Sequence, residues 1–448
     1  MIFQKFYKNS LTGYRGFILI DVLVALSLAA IFITMLLESS EHTRQSFERA
    51  RIRDQVLDAY VLGQASTSSK LYGNDRIQVS ELIDFKDIAS GTIIFSKVTP
   101  RSVSDLRDFA GTPLCDVDFT SGHLDAVPIF KSVALPIDPQ LPLTDLEIRN
   151  GIAYVSADSV VAADPDILII DIHDMQSPKL ISALNTGPGI ASIALSGQRI
   201  YAAATSLVAQ LHVIRLNSLY APVIETKYKL PLPFASATPP LASTIFFDRD
   251  LLYVGTEKWA GDEFNVLNVA DPTQPVKVAG LEIGSKVNDI LVHNGSAYVA
   301  SADQDQLRLI DVTDRGRLQL LNYFSPAGWQ RQEGQTISSF EDSIAFGRTS
   351  GGYNVRNELE LFSWPAEASS TLSGQFSADI AGGVYGIVTD RSNMYVITRE
   401  LDREFQIWRQ GTSTAYSLPV MAQTLTCDGD RLYILAHNAP YIYEISFK

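Results

Sequence analysis

Two hydrophobic patterns with different periods organise this chain. From Phe17 to Leu37 the residues are almost all apolar, and Asp21 is the only charge. That length matches the ~20 residues a helix needs to cross a bilayer core of ~30 Å. Between Leu37 and Ser69 there is no proline, and Gly63 is the only glycine. Phe47, Ile52, Val56, Leu57, Tyr60 and Val61 recur near helical spacing among Glu41, Arg44, Glu48, Arg49, Arg51 and Arg53. The spacing predicts one helix over 17–69, apolar in its first half and amphipathic in its second. "STSSKLYGNDR" (66–76) ends it with loop chemistry. Residues 70–126 read as a small mixed segment with one strand-like run, "GTIIFSKV" (91–98).

Beyond residue 145 the period changes to that of strands, and the chain repeats. An apolar run recurs seven times, as in "GIAYVSA" (151–157), "DLLYVGT" (250–256) and "DRLYILA" (430–436). Its aligned positions are Tyr154, Tyr201, Tyr253, Tyr298, Ala345, Tyr395 and Tyr433, every 38 to 52 residues. A second run follows each, such as "ILIIDI" (167–172) and "LRLIDV" (307–312), and an apolar run ahead of it turns tightly, as at Asn294-Gly295. Four short antiparallel strands per repeat describe the blades of a propeller. The expected fold is therefore mostly β, a seven-bladed propeller over 127–448 behind a long N-terminal helix. The seventh repeat ends at Lys448 one strand short. "VPIFKSVALP" (127–136) has the Pro lead and apolar spacing of the missing outermost strand, which would close the ring and remove two exposed edges.

The start of the chain carries a second signature. Lys5, Lys8 and Arg15 precede the apolar span without any acid, which holds the N-terminus on the cytoplasmic side. A signal peptide would place a small residue after its core, whereas Gly16 stands directly before this one. The segment resembles the type IV pilin and pseudopilin family. That resemblance implies a leader, 1–16, removed by a prepilin peptidase between Gly16 and Phe17. It also places Asp21 at the fifth mature position, where the family has glutamate. The departures are this shorter acid and Ile18, at a position that is often threonine. A carboxylate there would neutralise the α-amine of Phe17 on an adjacent subunit, since a buried charge is tolerable only when paired. The repeats, in turn, resemble LVIVD-type propellers through "LIIDIHDMQSPKLI", "VLNVADPTQPVKVA" and "LRLIDVTD".

Composition narrows the partners. Net charge is −14 with a pI near 4.9, so no basic surface for nucleic acid is expected. The two cysteines, Cys115 and Cys427, allow a single disulfide, which an extracytoplasmic location permits; two unpaired buried thiols are the alternative. Catalytic constellations are missing. The six histidines form no HExxH or Cys/His cluster, and there is no GxSxG, P-loop or GxGxxG. The close acids of "ADPD" (163–166) and "ADQDQ" (302–306) make no calcium loop and read as solvated turns. No metal or cofactor is expected, and the repeated tyrosines read as core. Long loops gather on one face, which usually marks a repeat protein's binding side. Trp259, Trp329, Arg331, Arg348 and Tyr353 are its candidate contacts, by residue type.

Together these features lead to an expectation of a non-enzymatic minor pilin or pseudopilin-like subunit of a type IV pilus or type II secretion-like filament. It would pass once through the cytoplasmic membrane and display its propeller outside the cell, on an extracellular pilus or at its tip. Its partners would be the prepilin peptidase, other pilin-like subunits through the helix, and an unidentified extracellular ligand through the propeller. The alternative is a membrane-tethered propeller enzyme acting on glycans, because such enzymes assemble paired carboxylates from distant blades.

Overall fold

A computed structural model describes residues 128–448 except 160, 162, 218–220, 315, 327–331, 341–342, 351–356, 364–371, 381, 391–392, 410, 430, 438 and 448. It also describes a short pairing of Tyr72–Gly73 with Arg76–Ile77. The leader, the expected helix over 17–69 and the run 91–98 lie outside the described residues. Among the described residues no helix is long and apolar enough to cross a membrane.

The described chain forms seven four-stranded antiparallel sheets, the blades of a propeller. Blade 1 is Leu143–Arg149, Ile152–Ala157, Ile167–Asp171 and Lys179–Leu184. Each later blade repeats that order, from Ile190–Ser196 in blade 2 to Ala422–Asp428 in blade 7. First strands of neighbouring blades pack against one another, so they ring the central axis. The seventh blade takes its outermost strand from the other end of the propeller. Pro128–Ala134 pairs antiparallel with Tyr441–Phe447, from Pro128 opposite Phe447 to Ala134 opposite Tyr441.

Burial explains why the sequence repeats as it does. The second strand of a blade is covered on both faces by neighbouring blades, so Ile152–Ala157 and Leu251–Thr256 are buried at every position. The repeated tyrosines occupy this strand and are 0–4% exposed. Tyr201 stacks on Phe247 of the next blade at 5.3 Å. Blade 5 has Ala345 instead, packed in the cluster of Leu361, Ile387 and Met394. Outer strands such as Lys179–Leu184 meet solvent. The tight turns behave as their residues dictate: Asn294 and Gly295 have φ of 48° and 78°, the left-handed pair that a two-residue hairpin requires.

Every first strand carries a register shift near its start, for example between Leu143 and Asp145 and between Val287 and Asp289. In blades 1 and 4 the residue after the shift is an aspartate that bridges to the next blade. Asp145 accepts from Ile193 N at 2.9 Å, and Asp289 from Ile337 N at 2.8 Å.

Candidate functional site

The face bearing the second-to-third-strand loops and the blade-to-blade crossovers is organised by buried polar residues. In the first six blades the residue just ahead of the third strand is Asp166, Gln210, Glu263, Gln306, Glu358 or Glu404, and all six are buried. Five of them accept a hydrogen bond from the crossover into the next blade. The donors are Thr186 N (2.6 Å), Leu230 N (2.9 Å), Ile283 N (2.8 Å), Ile380 N (2.8 Å) and Leu418 N (3.0 Å). Gln306 instead donates to the Gln332 carbonyl at 2.9 Å. Burial raises the carboxyl pKa of Asp166 and Glu358 despite these bonds. The acids of 163–166 and 302–306 are therefore not free solvated turns. Asp166 is 1% exposed and clamps a crossover, while Asp303 pairs with buried Arg308 at 2.7 Å.

This clamping corrects one expected contact residue. Arg348 is 1% exposed, and its guanidinium bonds Gln332 Oε1 at 2.9 Å and Glu360 at 3.2 Å. It supports the loop from inside and presents no surface to a partner. Trp259 is partly buried, and its indole N–H donates to the Asp262 carbonyl at 2.9 Å, so the ring folds onto its own loop. Trp329, Arg331 and Tyr353 lie outside the described residues, as do Gly16, Phe17, Asp21 and Cys115.

Closer to the axis, the same face has a ring of residues that the sequence reading did not single out. The residue after each second strand is Asp158, Thr205, Glu257, Ala302, Thr349, Arg399 or His437. Backbone bonds tie this ring to the start of the inner strands, as from Asp158 N to Pro142 O and from His437 N to Met421 O (2.8 Å). Its acids are engaged. Asp158 accepts from the Thr205 hydroxyl at 2.6 Å, and Glu257 pairs with Lys286 at 2.8 Å. The side made by blades 6 and 7 differs. The Arg399 guanidinium lies over the Tyr385 ring at 3.7 Å, and its buried Nε has no hydrogen-bond partner. Beside it, the His437 Nδ1–H donates to Gln423 Oε1 at 2.5 Å. Burial, and then Arg399, lower the His437 pKa, so the imidazole stays neutral near pH 7 with Nε2 as a free-electron-pair acceptor. A repeat alignment of these post-strand positions could have found the ring, but not which members pair.

A hollow of about 420 Å³ opens between the crossover into blade 2 and that blade's second-to-third-strand loop, lined by Thr186, Thr205, Leu207, Val208, His212 and Lys227 among others. His212 is 1% exposed, and burial pushes its pKa down to about 4. Among the described residues no group of three or more His, Cys, Asp or Glu could hold a metal.

Cys427 lies next to the end of the inner strand of blade 7 and is 1% exposed; no free cysteine is found among the described residues. A bridge to Cys115 remains a proposal because Cys115 is outside them. It predicts that thiol labelling of the denatured, unreduced chain finds no reactive thiol. Two labelled thiols would exclude the bond.

The fold defines the class, a seven-bladed β-propeller, and solved structures agree. Virginiamycin B lyase from Staphylococcus aureus is similar with a TM-score of 0.53 at 9% identity, over 71% of this chain and 99% of that one. Its catalytically inactive form with quinupristin gives 0.51 at 11% identity, with the same coverage. A protein from Lactobacillus plantarum gives 0.50 at 15% identity, over 61% of this chain and 84% of that one. At these identities the likeness is one of fold alone. No protein-family model matches the chain, and no curated protein matches it.

Proposed function

We propose that this chain is a minor pilin or pseudopilin-like subunit that holds an LVIVD-type propeller outside the cell as a binding module, without enzymatic activity of its own. The observation that carries the reading is the order of Gly16, Phe17 and Asp21 at the head of an apolar run ending at Leu37. A plain membrane anchor gives no reason for an acid inside the span, where insertion costs ~2.5–3.5 kcal/mol. A subunit whose mature amine at Phe17 must be neutralised does. The rigid loop face built on clamped crossovers suits the display of a ligand site.

Bulk favours a scarce or terminal position. A domain of this size has a radius of gyration of about 20 Å, whereas packed helices lie ~8–10 Å apart. Propellers on every subunit of a dense filament would collide. The chain would sit in the cytoplasmic membrane with its C-terminal part outside, be processed by a prepilin peptidase, and join other pilin-like subunits through its helix.

The test follows the protein by gel in cells with prepilin peptidase. Gly16→Leu is expected to run at full length while the parent chain is shortened. Asp21→Ala should insert normally yet enter filaments at least about tenfold less, because the Phe17 amine loses its counter-charge; Asp21→Glu should be tolerated. Identical processing of the parent and Gly16→Leu would overturn the assignment.

A further inference from the structure

We infer that the crossover face at blades 6 and 7 binds a hydroxylated carboxylate, such as a uronic acid, through Arg399 with Tyr385, Gln423 and His437 around it. The inference deepens the binding reading above and rests on it only for why such a ligand would be met outside the cell.

The geometry is that of a prepared arginine. Its flat face rests on Tyr385 at 3.7 Å, which fixes the plane of the guanidinium and leaves its edge for a ligand. Among the described residues no carboxylate pairs with it, and its Nε is buried without a partner. Arg308, Arg348 and Arg199 by contrast pair with carboxylates, with Asp303 at 2.7 Å, Glu360 at 3.2 Å and Glu225 at 2.8 Å.

The planar fork matches two oxygens of one oxyanion, a carboxylate among them, better than a neutral sugar. His437 narrows the ligand further. Its Nδ1–H is held by Gln423 Oε1 at 2.5 Å, so Nε2 is left to accept. An acceptor beside a carboxylate subsite calls for a donor on the same ligand, and a sugar hydroxyl supplies one. The ring's acids are engaged, Asp158 with Thr205 and Glu257 with Lys286, and Glu400 next to Arg399 pairs with Arg403 at 3.2 Å.

The test uses the full chain in lipid nanodiscs and saturation-transfer difference NMR with glucuronate, its methyl ester, glucose and sulfate. Glucuronate should give a saturable signal, with the ester and glucose at least about tenfold weaker. Arg399→Lys keeps the charge but loses the fork, and should weaken glucuronate at least about tenfold without changing the melting temperature. His437→Phe should weaken it several-fold. Binding of the ester equal to that of glucuronate, undiminished binding by Arg399→Lys, stronger binding of sulfate, or no glucuronate signal would each overturn the site. Processing at Gly16 separates the two readings. Arg399→Lys should be processed like the parent chain, and glucuronate binding by a chain that is never processed would leave this site standing while removing the pilin assignment.

Discussion

Deleting residues 128–134 is expected to abolish cooperative melting of the propeller. Those seven residues form the outermost strand of blade 7, paired along their whole length with Tyr441–Phe447. Val133 is 8% exposed and packs in the cluster that joins blades 7 and 1. Phe130 meets Phe405 and Tyr416 of blade 6, each at 5.8 Å. Glu444, 1% exposed, pairs with Lys131 at 3.4 Å and Arg431 at 3.2 Å. The deletion removes this packing together and leaves a long sheet edge unpaired. Truncating one large buried apolar side chain alone costs about 2–5 kcal/mol, and a domain is stable by only about 5–15 kcal/mol. Circular dichroism on heating is the measurement. The shortened chain should melt without a sharp transition or aggregate through the open edge. A melting temperature within about 5 °C of the parent would show that the ring closes adequately without this strand.

Stability should fall as pH rises from 6.5 to 8.5. Three carboxyls hold their protons unusually well in the folded state. Glu147 is raised to about 8, chiefly by burial and then by Asp145. Asp289 and Glu360 are each raised to about 7, again chiefly by burial. Each has a folded pKa above its unfolded value, so its stabilising contribution is complete below ~4 and is lost as pH climbs through the folded value. His212 works in the opposite sense. Its folded pKa of about 4 lies below the free value, so its contribution is present above ~6.5 and lost on acidification. The carboxyl effect is therefore read cleanly only above pH 6.5. A tenfold change in proton affinity corresponds to ~1.4 kcal/mol, but Glu147 is partly reached by solvent, which screens the charge. A loss of about 2 kcal/mol over this range would lower the melting temperature by roughly 5 °C. Glu147→Gln should melt higher than the parent at pH 8.5 and alike at pH 6.5. A parent whose melting temperature is flat or rising over this interval would exclude the mechanism.

What could be read from sequence followed local chemistry repeated often enough to be seen. Seven apolar strands with a tyrosine or its replacement, turns at Asn-Gly pairs, and a Pro-led run before the first repeat are each set by short-range rules. The period comes from covering the second strand on both faces, so it is visible as an unbroken apolar run rather than an alternation. The clamp residues were less visible. Asp166 and Glu263 look like ordinary loop acids, and the bond that buries each comes from a crossover about 20 residues later. Arg348 shows the same limit. Its residue type suggested a contact surface, while burial among Gln332, Glu360 and their neighbours gives it a supporting role.

By itself, then, the sequence determined the β class, the number of blades and the strand that completes the seventh, because backbone pairing and apolar coverage act at each repeat separately. Only the tertiary structure decided which polar side chains are satisfied. Asp145 reaches Ile193 across a blade boundary, and Glu257 finds Lys286, whereas Arg399 lies on Tyr385 with its Nε unpaired. A polar group's partner is fixed by direction and distance to within a few tenths of an ångström, and those are properties of the closed ring rather than of any one repeat.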